Sequence, residues 1–171
     1  LYEGGIRVPA LVRKPGTIEP GRRCDAPIIG LDFYPTFLEI AGVSRPPGYT
    51  LDGESLVPLL RGSLSLEREA IFWHFPAYLE PYNESQWPWR TTPAGAVRKG
   101  DWKLIEFFED GRTELYHLAD DPGETRDLVA EQPEKARDLQ RLLRQWRQRL
   151  DAPVPTRRNP QFDPQSLRRR S

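Results

Sequence analysis

The chain has 171 residues, and its 25 basic side chains balance 25 acidic ones, so no overall positive charge would attract nucleic acid. Hydrophobic residues make up 37% of the sequence and include five tryptophans, which allows a buried core and excludes disorder throughout. The single cysteine, Cys24, excludes an internal disulfide and leaves the compartment open, and no apolar stretch approaches the roughly 20 residues of a membrane span.

The first third of the sequence predicts a strand followed by two helices. Residues 8–13 form a short apolar run between turn residues, which favours a buried strand. Apolar residues recur at helical spacing over 31–41, with Asp32 expected as the N-cap and Gly42 as the residue that ends the helix. A second, short helix is predicted over residues 55–60.

Beyond residue 68 the pattern changes to that of an antiparallel sheet followed by a helix. Residues 76–93 are too rich in proline and tryptophan for regular structure, so we expect a long aromatic loop there. An amphipathic helix is predicted over 133–150, lying across the sheet. The four strands are expected at residues 70–75, 94–99, 101–108 and 113–118.

Charge is distributed unevenly along the chain. Residues 1–132 carry 14 basic and 21 acidic side chains, whereas residues 133–171 carry 11 basic and 4 acidic ones. Opposite charges attract, so we expect the basic helix to dock on the acidic body that precedes it. From residue 153 the sequence is rich in proline and arginine without periodicity, which predicts a tail.

No complete active site can be recognised from residue patterns. The sequence contains no glycine-rich phosphate loop, no His-Glu-x-x-His motif and no Gly-x-Ser-x-Gly frame. We therefore assign no catalytic residue and no metal ligand to this chain. Two short segments nevertheless combine residues suited to binding.

The first segment is Glu3-Gly4-Gly5-Ile6-Arg7. Adjacent glycines allow a positive φ and a close approach of the backbone to a neighbouring group. The guanidinium of Arg7 suits a carboxylate or an oxyanion. Two interpretations remain open, a turn closed by a Glu3–Arg7 pair, which is favoured, and direct contact with a substrate.

The second segment surrounds His74, which alternates with its neighbours so that it shares a strand face with Phe72. His74 stands where the strand enters the aromatic loop, and binding residues are common on such loops. It is either a structural hydrogen-bond donor or a substrate contact. Tyr78, Trp87 and Trp89 are further candidates for substrate binding, because the tryptophans would either stack on a sugar ring or cover the core.

Six segments resemble, in the same order, segments of the type I, formylglycine-dependent sulfatases. They are residues 1–9, 32–42, 51–60, 72–76, 96–104, and 114–116 with 121–124. The resemblance covers roughly residues 1–150. The chain begins with leucine and contains no methionine, so we expect it to be processed or to be a piece of a longer protein.

The resemblance implies an α/β fold with an α+β C-terminal part. The expected architecture is the end of an alkaline-phosphatase-like α/β sandwich, followed by a small four-stranded antiparallel sheet packed by a C-terminal helix. The resemblance predicts that residues 1–66 are the C-terminal end of the catalytic domain, that residues 67–152 form the C-terminal subdomain, and that residues 153–171 form the tail.

The resemblance also implies the chemistry of sulfate ester hydrolysis, in which formylglycine is the nucleophile and calcium neutralises the sulfate. Cys24 lies in Arg-Arg-Cys-Asp-Ala-Pro, which departs from the family's nucleophile motif, and the family's late active-site lysine would precede Leu1. We therefore expect calcium and formylglycine in a full-length parent and neither of them in this chain. The chain would close the fold and supply part of the substrate pocket, and it would be inactive by itself.

Two alternatives remain at this point. One is a fragment of a related phosphodiesterase or phosphonate monoester hydrolase, and the other is a non-catalytic carbohydrate-binding module. The expected partner is a sulfated small molecule or glycan, with no nucleic acid and no membrane. The individual substrate, the oligomeric state and the compartment stay open, although export to the periplasm or medium is common for sulfatases of this type.

Overall fold

A computed structural model describes residues 1–79 and 89–162. The chain divides into two compact units, one formed by residues 8–68 and the other by residues 1–7 together with the described residues from 69 onward. Within the described ranges, no helix is both long and apolar enough to cross a membrane. The predicted domain boundaries at residues 66 and 152 concern the domains of a parent protein and stay predictions.

A four-stranded antiparallel sheet forms the centre of the second unit. The strands are β1 (Ile71–Phe75), β2 (Ala94–Lys99), β3 (Trp102–Phe107) and β4 (Thr113–His117), and they lie side by side in the order β1-β2-β3-β4. Gly100 and Gly111 adopt left-handed φ values of 59° and 73° in the two tight turns, which a residue without a Cβ tolerates. The predicted meander is confirmed.

One face of this sheet is covered by the long C-terminal helix α4 (Pro133–Arg149), as predicted. Proline stands in its first turn, where the missing N–H has no helical partner in any case. Phe72 and Trp146 stack with ring centroids 4.8 Å apart and planes 3° from parallel. The buried residues between helix and sheet are Val97, Leu104, Leu115, Ala136, Leu139 and Leu143.

The opposite face of the sheet is covered by the first seven residues of the chain. Leu1 and Tyr2 pack on a buried cluster that includes Ala96, Ile105 and Tyr116. The short helix α1 (Glu3–Ile6) follows directly. The sheet is therefore buried on both faces by segments from opposite ends of the sequence.

The N-terminal segment is held by a buried lysine, Lys103, whose side chain is 0% exposed. Its Nζ lies 2.9 Å from Oε1 of Glu3 and 2.8 Å from Oε1 of Glu124. The backbone N–H of Glu3 donates to Oε2 of Glu124 at 2.5 Å, and Arg98 lies 3.8 Å from the other oxygen of Glu3. Two cations thus balance two carboxylates away from water, where an unpaired charge would cost several kcal/mol.

In the first unit, the predicted strand over residues 8–13 is wrong. This segment forms no regular structure, and Val8 and Leu11 are 79% and 98% exposed. A strand requires a neighbour that accepts and donates its backbone hydrogen bonds, and no described strand pairs with this segment. An apolar sequence by itself does not provide that neighbour.

The two predicted helices of the first unit are present. A 3₁₀ turn over Gly30–Asp32 leads into α2 (Phe33–Ala41), and Gly42 ends this helix with a left-handed φ of 66°. The short helix α3 (Val57–Arg61) follows, slightly later than the predicted 55–60. Helical periodicity and the terminating glycine were therefore sufficient to locate these elements.

The role expected for Asp32 needs correction. It occupies the N-cap position of α2, but its side chain makes no capping hydrogen bond to that helix. Its carboxylate instead accepts the backbone N–H of Ile29 at 2.8 Å and that of Glu54 at 3.0 Å, and it pairs with Arg68 at 2.5 Å. A buried carboxylate favours three donors over one, because each unmet lone pair costs free energy.

Glycine is required at position 53, in the segment Leu51-Asp52-Gly53, for a steric reason. A Cβ at Gly53 would lie 2.1 Å from the carbonyl oxygen of Leu31. No side chain can occupy that space, so the close approach of these two backbone segments requires glycine. This approach brings the N–H of Glu54 to Asp32.

We predict that Lys103→Met destabilises the protein by about 3–5 kcal/mol, because it removes the buried cation that lies between the carboxylates of Glu3 and Glu124. The matched control is Lys99→Met, which removes a half-exposed lysine that pairs with Glu69 at the surface and should cost less than about 1 kcal/mol. Urea unfolding measures both free energies. Equal losses of unfolding free energy in the two variants would show that the buried cluster stabilises the fold no more than a surface ion pair does.

Candidate functional site

The candidate site lies where β1 ends and the aromatic loop begins. The two described arms of this loop are joined by backbone hydrogen bonds, from Leu79 N–H to the Thr91 carbonyl at 3.1 Å and from Arg90 N–H to the Leu79 carbonyl at 2.7 Å. This pairing brings Tyr78 and Trp89 together, with ring centroids 4.7 Å apart and planes at 55°. The structure thus places two predicted substrate residues side by side.

His74 lies on β1, ahead of Tyr78 in the chain, and stands opposite Gly95 of β2. Its Nε2 lies 2.8 Å from the carbonyl oxygen of Pro153. A carbonyl only accepts, so Nε2 carries a proton and donates it. Nδ1 is buried without a partner among the described residues, and the ring of Phe108 lies 5.5 Å away. The geometry matches the structural-donor interpretation, and substrate contact stays a prediction.

Tyr78 donates its hydroxyl hydrogen to the carboxylate of Glu109. The other oxygen of Glu109 accepts the backbone N–H of Asn159 at 3.0 Å. Burial, followed by the hydrogen bond to Glu109, raises the pKa of Tyr78 well above its ordinary value. Tyr78 is therefore a neutral hydroxyl at physiological pH and is suited to hydrogen bonding but not to acting as a base.

Arg147 of α4 lies at the bottom of the site and is 9% exposed. Its guanidinium lies 2.6 Å from Glu106 on β3 and 5.0 Å from the ring centroid of Phe108. A Cβ at Gly95 would lie 3.1 Å from Phe108 and 3.3 Å from Nη1 of Arg147. Gly95 therefore leaves the space in which the arginine and the aromatic ring meet beside His74.

Several of these residues were missed by the sequence analysis. Arg147 continues the buried stripe of α4, and this spacing was a usable signal that it faces the sheet. Glu109 and Asn159 carry no such signal, since both look like ordinary loop residues. They were brought to Tyr78 by contacts between segments 31 to 50 positions apart.

The two tryptophan candidates are Trp87 and Trp89, and the structure describes the surroundings of Trp89. Trp89 is half-buried, and its indole N–H has no hydrogen-bond partner in the part of the chain that the structure describes. Its ring packs on Tyr78 in a tilted arrangement. Trp87 lies outside the described residues. Whether either ring binds a sugar stays a prediction.

The segment Glu3-Gly4-Gly5-Ile6-Arg7 lies on the other face of the sheet. The expectation of a positive φ or a close approach at Gly4 and Gly5 is wrong, because both lie within α1 and an added Cβ would meet nothing within 4 Å. Arg7 lies 3.9 Å from Glu3, so the favoured pair exists. Arg7 is a weaker partner of Glu3 than Lys103 is, because Arg7 is largely exposed whereas Lys103 is buried.

A metal or formylglycine site does not fit the described residues. Among residues 1–79 and 89–162, no group of three or more histidine, cysteine, aspartate or glutamate side chains could hold a metal ion. Calcium requires six to eight oxygen ligands, so the residues at hand do not supply its site. Cys24 is exposed and free, and we derive no catalytic step through either group.

The chain matches a family model described as N-sulphoglucosamine sulphohydrolase, C-terminal, over residues 1–152. A sulfatase of Formosa agariphila is 35% identical over 168 residues, which cover 90% of this chain and 29% of the relative. Arylsulfatase K of Danio rerio is 32% identical over 84% of this chain and 26% of its own length. The chain thus spans less than a third of either relative.

Solved structures give the same fold. The structure of BT4656 in complex with its substrate D-glucosamine-2-N,6-O-disulfate is 31% identical, with a TM-score of 0.52, over 68% of this chain and 23% of that chain. The phosphonate monoester hydrolase of Silicibacter pomeroyi is 29% identical, with a TM-score of 0.54, over 88% of this chain and 32% of that chain. In both cases the match covers less than a third of the longer chain.

We predict that Tyr78 does not ionise between about pH 9 and pH 11. Because its pKa is raised in the folded state, its contribution to stability is present below pH 10 and is lost as the pH rises above that value. Tyrosinate absorbance at 295 nm should therefore titrate identically in the wild type and in Tyr78→Phe over this range. A loss of one tyrosine's amplitude in the variant would contradict the buried Glu109 contact.

Proposed function

This chain belongs to the N-sulphoglucosamine sulphohydrolase C-terminal family, and we propose from that premise that it is the C-terminal part of a sulfuric ester hydrolase. The observation that carries the proposal is the family match over residues 1–152, joined by sulfatase relatives at 35% and 32% identity. The match includes both compact units. A binding module built on the sheet would not require residues 8–68.

We propose that the site around His74 forms one wall of the substrate pocket. It offers aromatic surface from Trp89 and Tyr78, and hydroxyl and imidazole groups for hydrogen bonding, a combination that suits a sugar ring. The expected substrate is a sulfated glycan or a small sulfated molecule. This class is supported by the relative BT4656, which was solved with a sulfated glucosamine.

Catalysis would depend on residues other than those described. Calcium and formylglycine are typical of the family, and the described residues supply neither a calcium ligand set nor a matching cysteine motif. We therefore propose that the nucleophile and the metal ligands belong to the rest of a full-length enzyme. Residues 1–66 would close its catalytic domain, residues 67–152 would form its C-terminal subdomain, and residues 153–171 would follow as a tail.

A second candidate is phosphonate monoester hydrolysis. It is favoured by the neighbour from Silicibacter pomeroyi, which is 29% identical over 88% of this chain. The curated relatives with 35% and 32% identity are sulfatases, which places sulfate esters first. The two reactions share an anionic tetrahedral group, so the choice of substrate distinguishes them.

We predict that the full-length enzyme hydrolyses an aryl sulfate faster than the matching aryl phosphonate monoester, and that purified residues 1–171 hydrolyse neither. Release of the aryl alcohol, followed by absorbance, gives kcat/KM for each ester. A preference for the phosphonate would favour the second candidate. Turnover by residues 1–171 would show that this chain contains its own catalytic groups.

We predict that His74→Ala in the full-length enzyme lowers kcat/KM by about tenfold or more, because a substrate contact or its support is lost. The hydrogen bond to Pro153 contributes about 0.5–1.5 kcal/mol, so Tm should fall by a few degrees at most. The control is His117→Ala, which removes the chain's other histidine, paired with Asp120 at the surface. A large fall in Tm with unchanged kcat/KM would make His74 purely structural.

A further inference from the structure

The segment that follows α4 crosses the candidate site. The helix ends in a turn in which Asp151 has a left-handed φ of 48° and the N–H of Ala152 donates to the Arg147 carbonyl at 3.0 Å. The chain then continues without helix or strand over residues 153–162, a segment that we call the strap. Its course is set by contacts with the site and not by secondary structure of its own.

The strap is anchored at two points, and both lie on candidate site residues. The carbonyl of Pro153 accepts the Nε2–H of His74 at 2.8 Å. The N–H of Asn159 donates to Glu109 at 3.0 Å, and Glu109 also accepts the hydroxyl of Tyr78. Both anchors use backbone atoms of the strap. The side chains between them are therefore available for other contacts.

Two arginines, Arg157 and Arg158, lie between these anchors and are exposed. Neither makes an ion pair, hydrogen bond or ring contact with any residue of the described ranges. Arg158 directly precedes the anchor Asn159, so their Cα atoms are about 3.8 Å apart. The nearby carboxylate of Glu109 already accepts a hydrogen bond on each oxygen.

Exposed arginines on α4 have a different environment. Arg137 lies 4.0 Å from Glu134, and Arg141 lies 2.8 Å from Asp138. Their charge is compensated within the helix by an acidic residue one turn earlier. The strap instead carries two exposed guanidinium groups that have no such acidic partner among residues 1–79 and 89–162.

We propose that Arg157 and Arg158 recognise a second anionic group, a sulfate or a carboxylate, on a sulfated glycan bound at the site of His74, Tyr78 and Trp89. The planar guanidinium offers paired N–H donors that match the oxygens of such groups. This inference rests on the proposed function and extends it. The strap would make the enzyme select multiply charged glycans over singly sulfated small esters.

The test compares Arg157→Gln/Arg158→Gln with the charge-matched control Arg137→Gln/Arg141→Gln. Binding of a dextran sulfate oligosaccharide of defined length to the full-length protein is measured by titration calorimetry. The strap variant should bind about 5- to 20-fold more weakly than the wild type, and the control should stay within about twofold. The loss should shrink as salt is raised, because salt screens exposed charges.

The hydrolysis assay uses a multiply sulfated oligosaccharide and a singly sulfated aryl ester. The strap variant should raise KM more for the former than for the latter. Equal losses of affinity in the strap variant and the control would indicate general attraction between charges and would overturn the inference, as would no loss in either. If no sulfate ester is hydrolysed, the proposed function fails, while the calorimetric comparison still decides the role of the two arginines.

Discussion

The ion cluster around Lys103 joins the first residues of the chain to the sheet and to Glu124. A fully buried ammonium is retained because Glu3 and Glu124 lie 2.9 and 2.8 Å from it, and Glu3 is contributed by a segment 100 residues earlier in the sequence. Without that segment, Lys103 would lose a carboxylate and one face of the sheet would lose its cover. The cluster therefore links the charge balance of the core to the position of residues 1–7.

A sheet buried on both faces can hold a site at its end. On the face toward α4, His74, Gly95 and Glu106 occupy successive strands in register. Gly95 leaves space for Arg147, which forms an ion pair with Glu106 and lies beside Phe108. Loops add Tyr78 and Trp89 to these residues, and the strap crosses the same end of the sheet. The polar groups of the candidate site are thus supported by packed elements, which is what a binding wall requires.

Local patterns were sufficient for most elements of the fold. Turn signals at Gly100 and at Asp110-Gly111 separated the strands of the meander, and the 3.6-residue period located α4, because turns and an amphipathic helix show themselves in their own residues. The strand predicted over residues 8–13 was wrong, since pairing depends on a neighbour and not on apolar composition. For the candidate site, the sequence identified His74, Tyr78 and Trp89, but it missed Glu109, Asn159 and Arg147, which reach them through the fold.

The sequence by itself determined the types of most elements, the family and the aromatic loop on which the candidate site is built. The tertiary structure decided which polar groups meet: Lys103 with Glu3, His74 with Pro153, and Glu109 with Tyr78 and Asn159. The physical reason is that these contacts depend on charge and hydrogen-bond balance among buried or anchored groups far apart in the chain. A local pattern shows each residue's own periodicity, and it contains no information about the distant partner that makes its burial favourable.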